Sequence, residues 1–404
     1  MIIKRKLLIM GGSYMNLQMK INPKTKLGSN TLGSEYFFHP AGDSAIAAVS
    51  AAKNGGECIF ATRFGDDING KRLYDYYKNC GISKQLMRKD SEAQTGLCLT
   101  LFSDLFEHEN FLTSGASMRF TKNEIDEAFS TTSPDLFLAP LEELGYEEHM
   151  VVVPAEQSPE KAFEEEMAQA LMPSVMIETS EFSIIPPEEI PVPSEPKEPK
   201  EPKPEKKQEN LTDKEKLISS ETVSSYIEKE SLATYALKKA DELGINIMVQ
   251  YTPFTAQYPL ETLENLKIFV ISDEDLRDLT GFYPDNTEKA LRALVNLSAS
   301  VHSKYYIIQR GDDSVFIYDG THYEIVFAPE TLRKDTREIG VKMKPSFIGA
   351  LAAEYLDSKN IIRACRFAII VSLLTKTKFG NLERLMSRSE LVQYVTERGI
   401  QIFN

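Results

Sequence analysis

Short apolar runs alternate with helix-like segments along both halves of the chain. In the first half, the apolar run Leu7–Met10 precedes a helix-like pattern of small and apolar residues over 44–53, and a second strand-like run covers 58–62. Strands joined by helical crossovers are typical of a parallel sheet. The alternation therefore predicts an α/β fold.

Polar residues and glycines mark the ends of the predicted helices. Asp43 is expected to cap the helix over 44–53, and Asp66–Asp67 is expected to open a second helix that stops at Gly81. In the second half, a long helix over 224–243 is predicted. The remaining predicted elements are strands over 247–251, 268–271, 305–309, 314–318 and 323–327, a helix ending at Thr280–Gly281, and helices over 346–356, 361–375 and 389–398.

A proline-rich segment separates the two halves. Eight of the 20 prolines fall within 186–204, where alternating Glu and Lys oppose burial and proline removes backbone donors. We predict an acidic, largely disordered tether over 146–222, inserted into one fold between an N-terminal half, 1–145, and a C-terminal half, 223–404. Proline-rich segments also bind SH3-like grooves, so the tether is a candidate site for a protein partner.

Charge and cysteine content limit the classes of partner and compartment. The chain has 60 acidic and 46 basic residues, a net charge of −14, which argues against nucleic acid and anionic membrane partners. Its four cysteines form no C-x-x-C pair, so neither a zinc site nor a disulfide framework is predicted, and a cytoplasmic location is expected. The run Leu7–Met10 is too short for a signal peptide or a membrane span.

Several motifs resemble those of the ribokinase, or PfkB-type, carbohydrate kinases. Gly11–Ser13 resembles the opening turn of that family, Pro40–Ala45 resembles its glycine-rich sugar-side motif, and Gly65–Gly70 matches its G-D-D-x-x-G turn. The resemblance implies a ribokinase-like three-layer α/β/α domain with a mostly parallel central sheet and a small β-lid. The lid is expected over Asn16–His39 and Thr95–Thr113, and because such lids often pair two subunits, a homodimer is also expected.

Enzymes of this family transfer a phosphoryl group from ATP, with Mg²⁺, to a hydroxyl of a sugar-like substrate. The chemistry needs a carboxylate as general base and N–H groups at a helix N-terminus, and the family motif D-T-x-G-A-G-D supplies both. Aligned from Asp335, this chain has Val341 in place of the catalytic aspartate; aligned from the helix at Phe347, it has Pro345. Because neither register supplies the base, we predict a catalytically impaired, pseudokinase-like binding or regulatory protein.

The resemblance also implies ligand-binding positions, several of them altered. On the substrate side, Asn16 replaces an aspartate, Gly42 and Asp43 lie in the sugar-side motif, and Ile46 replaces an asparagine. Asp275 is the candidate magnesium ligand. The candidates for binding phosphate or nucleotide are Gly311, Gly340, Lys342 and Lys344.

The alternative is a divergent ATP-dependent sugar or nucleoside kinase, a phosphotransferase with an alcohol group as acceptor. In that case Asp335 or Glu338 serves as the base, while Lys342 and Lys344 hold the phosphate. ATP and Mg²⁺ are then required. Under both hypotheses the expected ligand is a small sugar or a nucleotide.

Overall fold

The computed structural model describes residues 5–21, 33–102, 108–154, 223–311, 314–335, 344–375 and 382–400. The chain divides into two compact units, one formed by 1–147 together with 229–404 and the other by 148–228. Within the described ranges, no helix is both long enough and apolar enough to cross a membrane. None of the four cysteines, all of which lie in the described ranges, forms a disulfide.

A nine-stranded sheet forms the centre of the larger unit. In chain order, the strands of the protein are β1 (Lys6–Met10), β2 (Tyr14–Lys20), β3 (Glu35–Ala41), β4 (Glu57–Gly65), β5 (Met87–Asp90), β6 (Thr95–Phe102), β7 (His108–Gly115), β8 (Leu136–Leu138), β9 (Tyr146–Pro154), β10 (Val223–Ser231), β11 (Ile247–Gln250), β12 (Leu266–Ser272), β13 (Tyr305–Arg310), β14 (Ser314–Tyr318) and β15 (Tyr323–Phe327). The order in the central sheet is β15-β14-β13-β12-β11-β8-β1-β4-β5. Strand β14 is antiparallel to both neighbours, and the other pairings are parallel.

Helices cover both faces of this sheet. In chain order they are α1 (Asp43–Lys53), α2 (Ile68–Asn79), α3 (Lys122–Thr132), α4 (Leu232–Glu242), α5 (Asp273–Thr280), α6 (Thr287–Ser298), α7 (Glu330–Asp335), α8 (Lys344–Ser358), α9 (Ile361–Thr375) and α10 (Arg388–Thr396), with short 3-10 turns at Ala116–Met118, Thr255–Gln257, Leu260–Thr262 and Leu382–Arg384. One hydrophobic core contains residues of α1, α2 and α7–α10, and the other contains residues of α3–α6. The three-layer α/β/α arrangement is therefore confirmed.

The first strand shows why the sheet is covered on both sides. Successive side chains of a strand point to opposite faces. Leu7 and Ile9 belong to one core, while Leu8 and Met10 belong to the other, and all four are fully buried. A continuous apolar run is therefore required here, as is usual for a central parallel strand.

Helices α1 and α8 pack closely, which fixes the start of α8 near the sheet. A Cβ atom at Gly349 would lie only 2.1 Å from the carbonyl oxygen of Ala47, so glycine allows the two backbones to approach. At the other end of the contact, the Ser50 hydroxyl donates a hydrogen bond of 2.7 Å to the Ser346 carbonyl. Nearly all of α8 is buried as a result.

The predicted lid is a second, four-stranded sheet of order β3-β2-β6-β7. Its two faces differ in polarity. Asn16 and His39 lie opposite each other on one face, which also carries Tyr14 and Thr100. The other face has an apolar row across all four strands, in which Phe38 pairs with Leu17, Leu17 with Leu99, and Leu99 with Phe111.

One predicted helix boundary is wrong. The segment predicted as a helix over 224–243 forms strand β10 followed by α4. The helix begins late because the Ser231 hydroxyl caps it, accepting a hydrogen bond from the Thr234 N–H, and also donates to Glu143. By contrast, Asp67 caps α2 by accepting from the Gly70 N–H, which confirms the prediction that Asp66–Asp67 opens that helix.

Strands β9 and β10 form a two-stranded sheet on either side of the proline-rich segment. The Lys122 ammonium lies 2.6 Å from the carboxylates of both Glu147 and Glu230, so it ties the base of each strand to α3. Residues 155–222 lie outside the described residues. The predicted tether and the division into halves therefore stay predictions.

Candidate functional site

The ends of the central strands gather polar residues at one edge of the sheet. Gly12 follows β1, Glu142 follows β8, Gln250 ends β11 and Ser272 ends β12. Ligands of open α/β sheets bind outside the carboxyl ends of the strands. We distinguish a lid side, beside β1, β8, β11 and the lid, from a helix side, between β12, β13 and the start of α8.

Glu142 is the central polar residue of the lid side. One carboxylate oxygen, Oε1, accepts a hydrogen bond from the Gly12 N–H at 2.9 Å, and Oε2 accepts one from the Ser44 hydroxyl at 2.7 Å. The Ser44 N–H, in the first turn of α1, lies 3.3 Å from both oxygens. A Cβ at Gly11 would lie 2.0 Å from the Ser44 hydroxyl oxygen, so glycine is needed beside this network. The start of α1 thus holds a carboxyl group in the cleft.

Two carboxyl groups are crowded together on the lid side. Burial and the neighbouring Asp43 raise the pKa of Glu142 to about 8. Asp43 itself is exposed, and partial desolvation by the surrounding protein raises the pKa of its carboxyl group. Burial and then these two groups also raise the pKa of Tyr14. Glu142 is therefore mostly protonated at neutral pH.

The raised pKa of Glu142 predicts a pH dependence of stability. Because the folded protein keeps a proton that the unfolded chain loses above about pH 4.3, the contribution is complete below that pH and is lost as pH rises through about 8. We expect the free energy of unfolding to fall by about 1–2 kcal/mol between pH 6.5 and 8.5. Urea denaturation should show this fall, and Glu142→Gln should remove it.

The matched control is Glu397→Gln, which changes an exposed glutamate near the end of the chain. It should keep the wild-type pH dependence. His39 contributes little in this range. Burial and then Arg384 lower its pKa to about 4, so most of its effect on stability lies below pH 6.5, and only about 0.4 kcal/mol of opposite sign remains above it. An equal fall in wild type and Glu142→Gln would contradict the assignment.

Two of the predicted substrate residues lie next to Glu142. Gly42 has a φ of 121°, and a Cβ there would lie 2.6 Å from the Gly12 carbonyl oxygen. Gly42 is also the N-cap of α1, without a side-chain hydrogen bond, so the prediction that Asp43 caps this helix is wrong. Asp43 is instead the first helical residue, which leaves its carboxylate free to interact with the cleft. The binding roles of Gly42 and Asp43 stay predictions.

The third predicted substrate residue, Asn16, is buried in the lid and forms a hydrogen bond within it. It is buried, and its Oδ1 accepts a hydrogen bond from the Thr100 hydroxyl at 3.0 Å. Ile46, which occupies the family's asparagine position, is buried in the core. Asn16 therefore stabilises the polar face of the lid, and its role in binding a ligand stays a prediction.

Two buried polar atoms on the lid side have no hydrogen-bond partner within the described part of the chain. They are Nε2 of His39 and Oε1 of Gln250, in side chains that are 5% and 3% exposed. Buried polar atoms without partners are costly and uncommon. Each atom therefore lacks the partner that a buried polar group normally has.

The helix side contains three of the predicted phosphate and metal residues. Lys344 is the first residue of α8, and its Nζ lies 3.3 Å from Oδ2 of Asp275. The same oxygen accepts a hydrogen bond of 2.5 Å from the Ser272 hydroxyl. Gly311, with a φ of 52°, lines a small cavity together with Lys344 and Gln309. Asp273 and Glu274 line the same cavity, so the ammonium group of Lys344 has acidic neighbours at this edge.

The other predicted residues are only partly described. Val341, Gly340, Lys342 and Glu338 lie outside the described residues. Asp335 ends α7, and only its backbone is described. Pro345 is the second residue of α8 and is buried. The first turn of this helix contains no acidic residue. Proline suits a helix start but supplies no N–H to an anion.

The fit of the implied groups differs between ATP and Mg²⁺. The ammonium of Lys344 and the backbone at Gly311 suit a phosphate group, whereas Asp273 and Glu274, which line the same cavity, oppose a polyanion. The donor set for a metal is poor, because Oδ2 of Asp275 already interacts with Ser272 and Lys344. Among the described residues, no group of three or more His, Cys, Asp or Glu side chains is arranged to hold a metal ion.

Comparison with solved structures identifies the fold. Ribokinase from Arabidopsis thaliana, solved with ribose and ATP, is 14% identical with a TM-score of 0.62 and matches over 97% of this chain and 98% of its own. Ribokinase from Thermotoga maritima is 16% identical with a TM-score of 0.63, over 97% and 99%. A nucleoside kinase from Methanocaldococcus jannaschii, described as an archaeal member of the ribokinase family, is 10% identical with a TM-score of 0.57, over 98% and 99%.

No protein-family model and no curated protein matches the sequence. The structural likeness nevertheless extends over almost the whole of each chain. The protein therefore has the ribokinase fold, and the resemblance predicted from the motifs is confirmed at that level.

Proposed function

We propose that this chain is a ribokinase-fold binding protein that retains a small-ligand cleft and has lost efficient phosphoryl transfer. The observation that supports it best is the start of α8. Lys344 and Pro345 occupy the first two positions of the helix, and its first turn carries no carboxylate. In both alignments with the family motif, the base position is held by a residue that takes up no proton, Val341 or Pro345.

The size of the missing contribution supports loss of turnover. A general base contributes about 10²- to 10⁴-fold to such a reaction, and one donor to the developing anion about 10²- to 10³-fold. Pro345 removes one N–H from the helix start, in addition to the missing carboxylate. Ligand binding depends on neither feature, so binding can persist without catalysis.

The lid side supports a small polyhydroxy ligand. Glu142 and Asp43 offer carboxyl oxygens, while His39 and Gln250 each have a buried polar atom that a ligand hydroxyl would satisfy. The Arabidopsis thaliana relative was solved with ribose and ATP. We therefore extend the proposal to a sugar-sized ligand on the lid side and a nucleotide phosphate on the helix side.

The proposal is tested by an assay for ATP-dependent phosphorylation across a panel of sugars and nucleosides. We expect turnover at least about 10⁴-fold below that of an active ribokinase assayed in parallel. Thermal unfolding with ATP, ADP and the same sugars should reveal binding, because a ligand of the folded state raises its Tm. Robust phosphorylation would overturn the proposed loss of catalysis, and absence of every Tm shift would overturn the proposed binding of a small ligand.

A second candidate function, an active divergent kinase, is favoured by the carboxyl group of Asp43. This group lies near Glu142 and has a raised pKa, a property that suits proton transfer. The same assay separates the two candidates. Turnover that is abolished by Asp43→Asn or by Asp335→Asn would identify the base and establish the kinase.

The apolar row of the lid supports the predicted homodimer. Phe111 on the edge strand β7 is 51% exposed, and Tyr36, on the same face of the opposite edge strand β3, is 70% exposed. Exposed aromatic side chains are common in protein interfaces. The homodimer through the lid stays a prediction, as do a partner for the proline-rich tether and the cytoplasmic location.

A further inference from the structure

The titratable groups around Glu142 on the lid side are all acidic. The carboxylate of Asp43, in the first turn of α1, interacts electrostatically with Glu142. The phenol of Tyr14, at the start of β2, interacts with both carboxyl groups. The phenols of Tyr77, on α2, and Tyr258, after β11, also interact with Glu142. Among these described neighbours of Glu142 there is no lysine or arginine.

The carboxyl groups are accessible and lack a counter-ion. Asp43 is exposed, and Glu142 and Tyr14 are half-buried. The guanidinium group of Arg384 lies near His39 on the lid, and it is not among the groups that interact with either carboxyl group. Carboxylates that are removed from water are normally paired with a cation. The described part of the lid side therefore lacks a positive charge.

A buried acceptor without a donor lies at the same edge of the sheet. Oε1 of Gln250 has no hydrogen-bond partner, and the side chain is 3% exposed. Because side chains alternate along a strand, Gln250 points to the same face of the sheet as Met248, whose core also contains residues of α1 and α8. Met248 pairs with Leu138, so Gln250 lies level with Pro140, two residues before Glu142. The missing partner of this atom is a donor.

We infer that the lid side binds a sugar-sized alcohol that carries an ammonium group, which lies beside Asp43 and Glu142. The inference rests on the proposed small-ligand cleft and names the class of its ligand. An ammonium group has several N–H donors and no acceptor, which matches the oxygens of Asp43, Glu142 and Gln250. Its charge also favours the ionised form of Glu142, so binding releases the Glu142 proton to solvent.

The experiment is calorimetric titration of the full-length protein with two matched pairs of ligands, glucamine against sorbitol and glucosamine against glucose. Within each pair, an amine replaces one hydroxyl. At pH 6.5 we expect one or both amines to bind about tenfold or more tightly than the matched alcohol. Glucamine, whose primary amine stays largely protonated, should bind about tenfold more tightly at pH 8.5 than at pH 6.5, because Glu142 ionises between them.

Variants assign the effect to the two carboxyl groups. Glu142→Gln should remove the pH dependence of glucamine binding, and Asp43→Asn should reduce the preference for the amine to about twofold or less. Glu397→Gln, which changes an exposed glutamate near the end of the chain, should keep both effects. Far-UV circular dichroism and the Tm of each variant show whether it is folded. If Glu142→Gln fails to fold, Asp43→Asn, at an exposed position, still tests the inference.

The outcomes distinguish this inference from the proposed function. Sorbitol and glucose that bind as tightly as their amines would overturn the inference and leave the small-ligand cleft intact. Absence of binding by both amines would also overturn it, and if the wider sugar panel gave no Tm shift either, the proposed cleft would be wrong as well. A rise in Tm with KCl or MgCl₂ alone, equal to that with glucamine, would assign the carboxyl groups to an inorganic cation and overturn the inference.

Discussion

Glu354→Ala is expected to lower the free energy of unfolding by about 3 kcal/mol, because it removes the acidic member of a buried ion cluster. The Glu354 side chain is fully buried in α8. Its Oε1 lies 2.5 Å from Nε of Arg363 on α9, and its Oε2 lies 2.7 Å from Nη2 of Arg388 on α10. The substitution leaves two guanidinium groups without their shared carboxylate. Because both arginines keep partial contact with solvent, the loss should fall near the low end for buried pairs.

Urea denaturation of the full-length protein measures this effect. Asp357→Ala is the matched control, since Asp357 is an exposed carboxylate near the end of the same helix. It should change the free energy of unfolding by less than about 0.5 kcal/mol. If Glu354→Ala cost no more than this control, the three helices would not depend on the ion cluster.

Gly349→Ala is the second substitution with a large expected effect, about 2–3 kcal/mol of destabilisation. The added Cβ would lie 2.1 Å from the Ala47 carbonyl oxygen and 3.0 Å from the Ala47 Cα. These are backbone atoms of α1, so the clash is relieved only if the two helices separate.

The sign of the Gly349→Ala effect is informative in itself. In an isolated helix, alanine is more favourable than glycine by about 1 kcal/mol. A measured destabilisation therefore reports the contact between α1 and α8 rather than helix propensity. A gain in stability would mean that the two helices lie further apart in solution, and urea denaturation separates these outcomes.

Local patterns in the sequence predicted most of the secondary structure of the fold. The apolar run at Leu7–Met10 and the turn at Asp66–Asp67 depend on neighbours in the chain, and both predictions are confirmed. The helix predicted from 224 failed because Val223–Ser231 pairs with β9. That pairing joins segments on either side of the proline-rich insertion. No local pattern in the helix-like segment shows it.

The candidate site was predictable where it follows a motif. Gly42, Asp43 and Lys344 were identified by their place in the resemblance, but Glu142 was missed. It belongs to the acidic run Leu141–Gly145, which indicates a solvated loop, and its partner Ser44 lies 98 residues away. The sequence feature that could have identified Glu142 is its place shortly after the short buried strand β8. The lysine pairing of Asp275 was missed for the same reason, because it joins residues 69 positions apart.

The contacts of Lys122 with Glu147 and Glu230 bear on how the length of the chain between these glutamates can vary. Because one ammonium group holds Glu147 and Glu230, the points where the chain leaves and re-enters the main unit stay fixed beside α3. The entropic cost of closing a flexible loop grows slowly, by about 0.6 kcal/mol for each doubling of its length. For the tether predicted between β9 and β10, a change of length would therefore cost little free energy as long as Lys122, Glu147 and Glu230 are retained.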